Sequence, residues 1–297
     1  MSPRGWQFRM LDHHKLVRAA EALDPVPFSV SRLVAIVAQD HWAFSDVEHV
    51  LSHDQALTGR LLQIANSAWS ASLMRIGTVK DAVIRIGIGP TVSFAMGACV
   101  GPTFRRALPQ FGLTEGALWR HAVASSLAAE VISAMSPAEV PAESVTAALL
   151  HDVGKLVLAR YLTPELAAAV SEARQDPDRT PIQAEADILG VHHGELGGIV
   201  ARHWHLPDRL ADAITYHHAP DRLADAVCDV VALANAAAKA TADPAAPVVL
   251  PASSVKRLQL PAHFFERLCQ HVDRRLEDVL ARYDQHPAPA VLSRKSA

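Results

Sequence analysis

Leu149-Leu150-His151-Asp152-Val153-Gly154-Lys155 is the stretch that decides how this 297-residue sequence is read. An adjacent His-Asp pair inside an apolar helix is costly, because burying an imidazole and a carboxylate without partners forfeits several kcal/mol. Such a pair persists where its members satisfy each other, reach other partners or bind a cation. Lys155 follows His151 by four residues and so shares its helical face. A buried ion-pair network without further function is therefore one reading of the motif.

Outward from this stretch the chain reads as helix after helix. Ala and Leu dominate, period-two alternation is nearly absent, and apolar residues recur at helical spacing. The pattern predicts helices near 29–40, 45–53, 55–67, 78–87 and 90–108. Others follow near 115–135, 143–161, 163–174, 181–189, 193–204, 207–218, 222–241 and 261–283. Thr114 is placed to cap the helix after it, with Glu115 on its first turn. Gly190 ends one helix, Pro207 suits the first turn of another, and Pro220 follows directly after that one. The segment 243–251, rich in Pro and Ala, reads as a linker. The expected fold is all-α: an irregular multi-helix bundle in two lobes, 12–112 and 113–241, with a C-terminal helical segment (252–284) packing back and a flexible tail (287–297).

Composition narrows the function. Half the residues are apolar, net charge is −3, and no Lys/Arg run forms a stripe. Nucleic acid and anionic membranes are thus not expected partners. The first ten residues lack a signal-peptide core, and no stretch has the apolar length of a membrane helix. Three well-separated cysteines (Cys99, Cys228, Cys269) suit a reducing compartment, so the expected location is cytoplasmic. For Trp42, Trp69, Trp119 and Trp204, packing is the expected role.

Histidine is the unusual residue, with 16 copies. His13, His14, His41, His49, His53, His263, His271 and His286 are expected on solvated faces. The others concentrate between 121 and 218. On the helix near 207–218 the inward face Leu210, Ala213, Ile214 continues into His217 and His218. A protonated histidine at a helix C-terminus is favoured by the dipole, which accounts for one exposed imidazole better than for two inward ones. His121 lies on the stripe Leu118, Ala122, Ser125, Ala129, Ile132, where alone it reads as a satisfied core histidine. His193, alone, reads as a cap or surface residue. Together, His121, His151, Asp152, His193, His217 and His218 come from four helices that one bundle can converge. That nitrogen-rich set suits one or two divalent transition-metal ions, with iron first and zinc, nickel or manganese as alternatives. The two oxygens of Asp152 could bridge a pair.

The order His121 … His151-Asp152-x-x-Lys155 … Glu185 … His193 … His217-His218 resembles the HD superfamily of metal-dependent phosphohydrolases, and within it the HDOD (HD-related output domain) branch. Ser52-His53-Asp54-Gln55-Ala56-Leu57-Thr58-Gly59-Arg60-Leu61-Leu62-Gln63-Ile64-Ala65-Asn66-Ser67-Ala68 is similar to its DPALT-x-x-LL-x-x-ANSA segment. Asp81-Ala82-Val83-Ile84-Arg85-Ile86-Gly87 resembles its AI-x-x-LG element. Trp204-His205-Leu206-Pro207 and His217-His218-Ala219-Pro220 resemble its W-x-LP … HH-x-P stretch. The likeness covers roughly 20–240.

The resemblance implies a bacterial signalling or regulatory protein with an HD-type helical core in its second lobe. Expected partners are other signalling proteins, a phosphorylated small molecule or nucleotide, and a second copy of the chain. The sister HD-GYP group hydrolyses cyclic di-GMP at a two- or three-iron-type centre. His121, His151, Asp152, Glu185, His193, His217 and His218 fall on positions resembling its ligands, and Lys155 on that of its phosphate-contacting lysine. The sequence departs from that pattern in three ways. The closing aspartate is Asn235, a neutral and weaker donor. Asp229, the nearest carboxylate, stands about 120° around the helix from it. The acidic position four before His121 is Ala117, and no Asp-Gly-x-Gly-Tyr-Pro loop follows His218. These departures disfavour cyclic di-GMP hydrolysis. They favour a non-catalytic or weakly catalytic regulator, with Glu185 and Asn235 as further or supporting ligands. The alternatives are a metal-dependent phosphohydrolase using Asp152 and Lys155, and a di-iron redox or gas sensor.

Overall fold

The computed structural model describes residues 12–66, 76–176 and 179–285. Among these the regular elements are helices, apart from one isolated antiparallel bridge between Leu108 and Leu113. The fold is all-α, as the apolar periodicity predicts.

The first group is α1 (His13–Glu21), α2 (Phe28–Val37), α3 (Phe44–Ser52), α4 (Gln55–Ala65), α5 (Val79–Ile86) and α6 (Ile88–Phe104). Then come α7 (Ala117–Met135), α8 (Ser144–Leu150), α9 (Gly154–Leu158), α10 (Pro164–Ala173), α11 (Pro181–Leu189) and α12 (His193–His203). The chain continues through α13 (Asp208–Tyr216), α14 (Ala226–Ala242), α15 (Ala252–Arg257) and α16 (Phe264–Gln285).

Side-chain caps set many of the starts. Asp12, Asp54, Thr78, Thr163, Thr180 and Asp225 each accept from a first-turn N–H of the helix they precede. Thr180 and Gln183 complete a reciprocal capping box. Gly190 ends α11 in the left-handed conformation, at a φ of 76° that costs glycine nothing.

The long helix α7 is the central post. It packs against α14, α8 and α16, so its buried residues extend beyond the stripe Leu118, Ala122, Ser125, Ala129, Ile132 to Trp119, Val123 and Leu127. Burying each large apolar side chain contributes about 1.5–3 kcal/mol relative to exposure. α12 packs between α13 and α9, and α1 lies across α12 and α9. α6 links the N-terminal helices to α8.

Several expectations are corrected. The helix expected at 143–161 is two helices, broken at 151–153, so His151 and Asp152 lie in a turn instead of mid-helix. Thr114 does not cap α7: Gly116 occupies the N-cap in the left-handed conformation, without a side-chain cap. The helix α1 is missed by the sequence reading, and the C-terminal segment holds two helices, α15 and α16, where one was expected. The helix expected from 222 starts at Ala226, after a 3-10 turn at Pro220–Arg222. Ser67, Ala68, Trp69, His286 and the tail 287–297 lie outside the described residues. No single described helix is long and apolar enough to cross a membrane.

Candidate metal centre

The break at 151–153 turns the carboxylate of Asp152 toward imidazoles from three other parts of the chain. α7 brings His121, the start of α12 brings His193, and the residues just past α13 bring His217 and His218. The close approach of α9 to α12 depends on glycine: a Cβ on Gly154 would overlap the carbonyl oxygen of His193 and lie 2.7 Å from the Gly197 nitrogen. Gly198 similarly lets α12 approach α13, since a Cβ there would overlap Thr215 Oγ1.

Asp152 is the hub. Its Oδ1 lies 3.2 Å from His193 Nε2. Its Oδ2 lies 3.5 Å from His151 Nε2, 3.6 Å from His121 Nε2 and 2.6 Å from Lys155 Nζ. His121 and His151 approach at 3.2 Å between Nε2 atoms, and His193 and His218 at 3.1 Å. The ring of His217 packs 4.9 Å from that of His151 and 4.1 Å from that of His218, centre to centre. Two sets, His121/His151/Asp152 and His193/His217/His218, each bring one ligand atom per residue within 4.8 Å of the others. All six candidate ligands from the sequence are therefore together. Lys155 pairs with Asp152 at i+3, not with His151 at i+4.

The outer nitrogens explain the orientation. His151 Nδ1 lies 2.8 Å from the Ala148 carbonyl oxygen, and His217 Nδ1 lies 2.7 Å from that of Ile214. A carbonyl only accepts, so Nδ1 carries the proton in both rings. Glu185 plays that part for His193: its Oε2 accepts from the backbone N–H at 2.9 Å and from Nδ1 at 2.7 Å. Arg174 donates to Oε1 of the same carboxylate at 2.7 Å. Neutral imidazoles fixed this way present Nε2 lone pairs to one another, an arrangement a cation would satisfy. Among the buried side-chain atoms without a hydrogen-bond partner are His217 Nε2 and Asn235 Oδ1. The donor set fits a divalent transition metal.

Electrostatics agree with neutral rings. Burial pulls His121 down to about 3, His151 to about 4 and His218 to about 2, against the pull of Asp152. Burial likewise holds His217 well below the usual range. Burial alone would raise Asp152, but Lys155 and the adjacent imidazoles hold it well below the carboxylate range. His193 is the exception: burial pulls it down, yet Glu185 and Asp152 together raise it. Burial would raise Glu185 too, but His193 and Arg174 bring it to about 2.

The sequence reading missed Arg174, Lys239 and Arg120. Lys239, one turn beyond Asn235 on α14, lines a cavity of about 310 Å³ together with Arg120, His121, Asp152 and Lys155. Partial desolvation lowers Lys239 from its ordinary value. The i+4 spacing of Asn235 and Lys239 could have flagged it. Asp229 is not in the cluster: it is buried against α15, accepting from Ser254 at 2.6 Å and from Arg257 at 2.6 and 2.7 Å. His13, His14, His41, His49, His53 and His263 are exposed as expected, and His271 is half-buried.

Fold and cluster together define an all-α protein whose helices converge histidines on one aspartate. The HDOD domain family matches residues 23–220, and the chain belongs to that family. An HDOD domain protein of unknown function from Geobacter sulfurreducens superposes with a TM-score of 0.63 at 23% identity, covering 92% of this chain and 99% of that one. A candidate phosphohydrolase from Shewanella amazonensis SB2B gives 0.62 at 21% identity, covering 91% and 97%. A candidate signal transduction protein from Marinobacter aquaeolei VT8 gives 0.67 at 20% identity, covering 93% and 67%. These likenesses show the fold. An uncharacterized protein of Treponema pallidum (strain Nichols) is 26% identical over 202 residues, which make up 67% of this chain and 38% of that protein. The chain thus spans about two fifths of that relative's length.

Proposed function

We propose that this HDOD protein is a bacterial signalling module that holds one or two divalent transition-metal ions and is non-catalytic or weakly catalytic. The observation that carries the reading is the approach of His121, His151 and His193 Nε2 to Asp152, with Nδ1 of His151, His193 and His217 tied outward and His217 Nε2 without a partner. His121, His151, Asp152, His193, His217 and His218 would hold the metal. Glu185 would orient His193, and Asn235 would be a weak further donor. Iron is the first expectation for the ion, with zinc, nickel or manganese as alternatives. Carrying the six ligands with the amide of Asn235 where the resembling pattern has a carboxylate favours retention of metal over rapid turnover. The regulatory role, cytoplasmic location and signalling partners belong to this same reading.

Metal analysis of untagged protein tests it. Wild type should carry about one or two equivalents of transition metal, and His151→Ala and His218→Ala should each lose at least half. Metal-free wild type that takes up no iron, zinc, nickel or manganese on dialysis would refute it. So would metal-dependent hydrolysis of a phosphoester above about 1 s⁻¹, an ordinary enzymatic rate.

One observation favours the second reading, a phosphohydrolase. The 310 Å³ cavity beside Asp152 carries Arg120, Lys155 and Lys239, a cationic lining suited to a phosphoryl group. A bound ion would polarise a phosphoryl oxygen and lower the pKa of bound water. Lys155 would offset negative charge on the phosphate, and Asp152 would anchor the site. A phosphoester panel with iron, manganese and nickel tests this, and activity surviving Asp152→Ala intact would dismiss it.

A further inference from the structure

On the far side of α9 from the cluster lies a second cavity, larger at about 380 Å³ and within the range of small-molecule sites. The 23–27 segment, α4, α6, the start of α2 and Arg160 and Trp204 enclose it. Much of its wall is apolar, with Leu57, Ala98 and Leu156 among the buried contributors. The polar groups are few and unevenly charged. Three guanidinium groups, on Arg60, Arg106 and Arg160, stand against the carboxylates of Asp24 and Asp54. Asp54 is already committed: it caps α4 at Leu57 and accepts from the Ser29 hydroxyl at 2.8 Å. Arg106 and Arg160 are exposed at the cavity, and neither forms an ion pair among the described residues.

Trp204 closes part of the wall. It is 5% exposed. The cavity therefore offers an apolar wall that includes the Trp204 side chain, and two uncommitted guanidinium groups. From this combination we infer that the cavity is a binding site for a small amphipathic anion: an apolar body seated on α4, α6, Leu156 and Trp204, and a carboxylate- or sulfonate-type group at Arg106 and Arg160. No groove open to a helix or a strand is needed.

The position gives the site a regulatory consequence. Leu156 lies on α9, directly after Lys155, and Trp204 caps the C-terminus of α12, whose first residue is His193. A ligand here touches the middle of α9, next to Lys155, and the far end of α12, whose first residue is His193. The binding site itself stands whether or not the cluster holds metal.

The test uses 8-anilinonaphthalene-1-sulfonate as the amphipathic anion and N-phenyl-1-naphthylamine as its uncharged counterpart. Both are titrated into full-length protein by fluorescence. Wild type should bind the sulfonate saturably at one site per chain and in preference to the amine. Arg106→Ala/Arg160→Ala, both surface changes that leave the core intact, should weaken the sulfonate about tenfold and the amine less than twofold. Non-saturable binding, or sulfonate affinity within twofold of wild type in the double arginine variant, overturns the proposal.

Discussion

Glu185 holds His193 by two bonds to one carboxylate oxygen, from the backbone N–H and from ring Nδ1. A single side chain thus binds the first backbone N–H of α12 and decides which ring nitrogen faces Asp152. Arg174 keeps that carboxylate charged and in place. If His193 is a ligand, this is a support whose loss costs affinity without removing a donor atom.

Glu185→Gln should therefore lower metal affinity about 10- to 100-fold, the usual cost of losing a carboxylate behind a ligating histidine. The expected outcome is a shifted competition curve against a chelator, with stoichiometry at saturation unchanged. An unshifted curve would remove Glu185 from the site.

Gly154→Ala should destabilise the fold by about 2–3 kcal/mol through overpacking against the His193 carbonyl. Gly59→Ala is the contrasting case. An added Cβ there meets nothing within 4 Å, and the position is exposed on α4. It should stabilise by up to about 1 kcal/mol through helix propensity. Thermal unfolding of the two variants, compared with wild type, checks both.

The metal-free protein should lose stability as pH falls below about 6.5. His121, His151 and His218 have folded values near 3, 4 and 2, below the ordinary 6.5, so the unfolded chain binds protons that the folded chain refuses. Their contribution is complete above 6.5 and is lost as pH falls toward the folded values, at up to about 1.4 kcal/mol per pH unit for each group. His193, raised, acts in the opposite sense but is one group against four, His217 being depressed as well. Denaturant midpoints between pH 7.5 and 5 give the slope, and bound metal should flatten it.

Arg257→Ala should cost about 3 kcal/mol by leaving the fully buried Asp229 carboxylate unpaired, while metal content stays at the wild-type level. A variant that folds stably but loses metal would tie Asp229 to the centre after all.

Much of this was legible in the sequence because the cluster violates hydrophobic patterning. Imidazoles that continue an apolar stripe, as at His217 and His218, announce burial, and the six candidate ligands do meet. What was hidden came from turns and from long side chains. Nothing in helical periodicity marks the break at 151–153, which serves to turn Asp152 inward while apolar residues continue on both sides. Thr114 carried a capping signal that the left-handed Gly116 displaced. Nothing in the pattern marks where Arg174 or Lys239 ends up, because a flexible side chain's destination is set by tertiary packing. Asp229 was separable from Asn235 by helical angle alone, though its partner on α15 was not readable.

The central claim is that these imidazoles share a cation through Nε2. Crystals of the protein grown with iron or zinc, measured across that metal's absorption edge, give the most direct answer. The account predicts an anomalous peak about 2.0–2.1 Å from Nε2 of at least two of His121, His151, His193, His217 and His218, with Asp152 as a further ligand. A peak bound through Nδ1 or at surface histidines, or no peak among these rings, would contradict it.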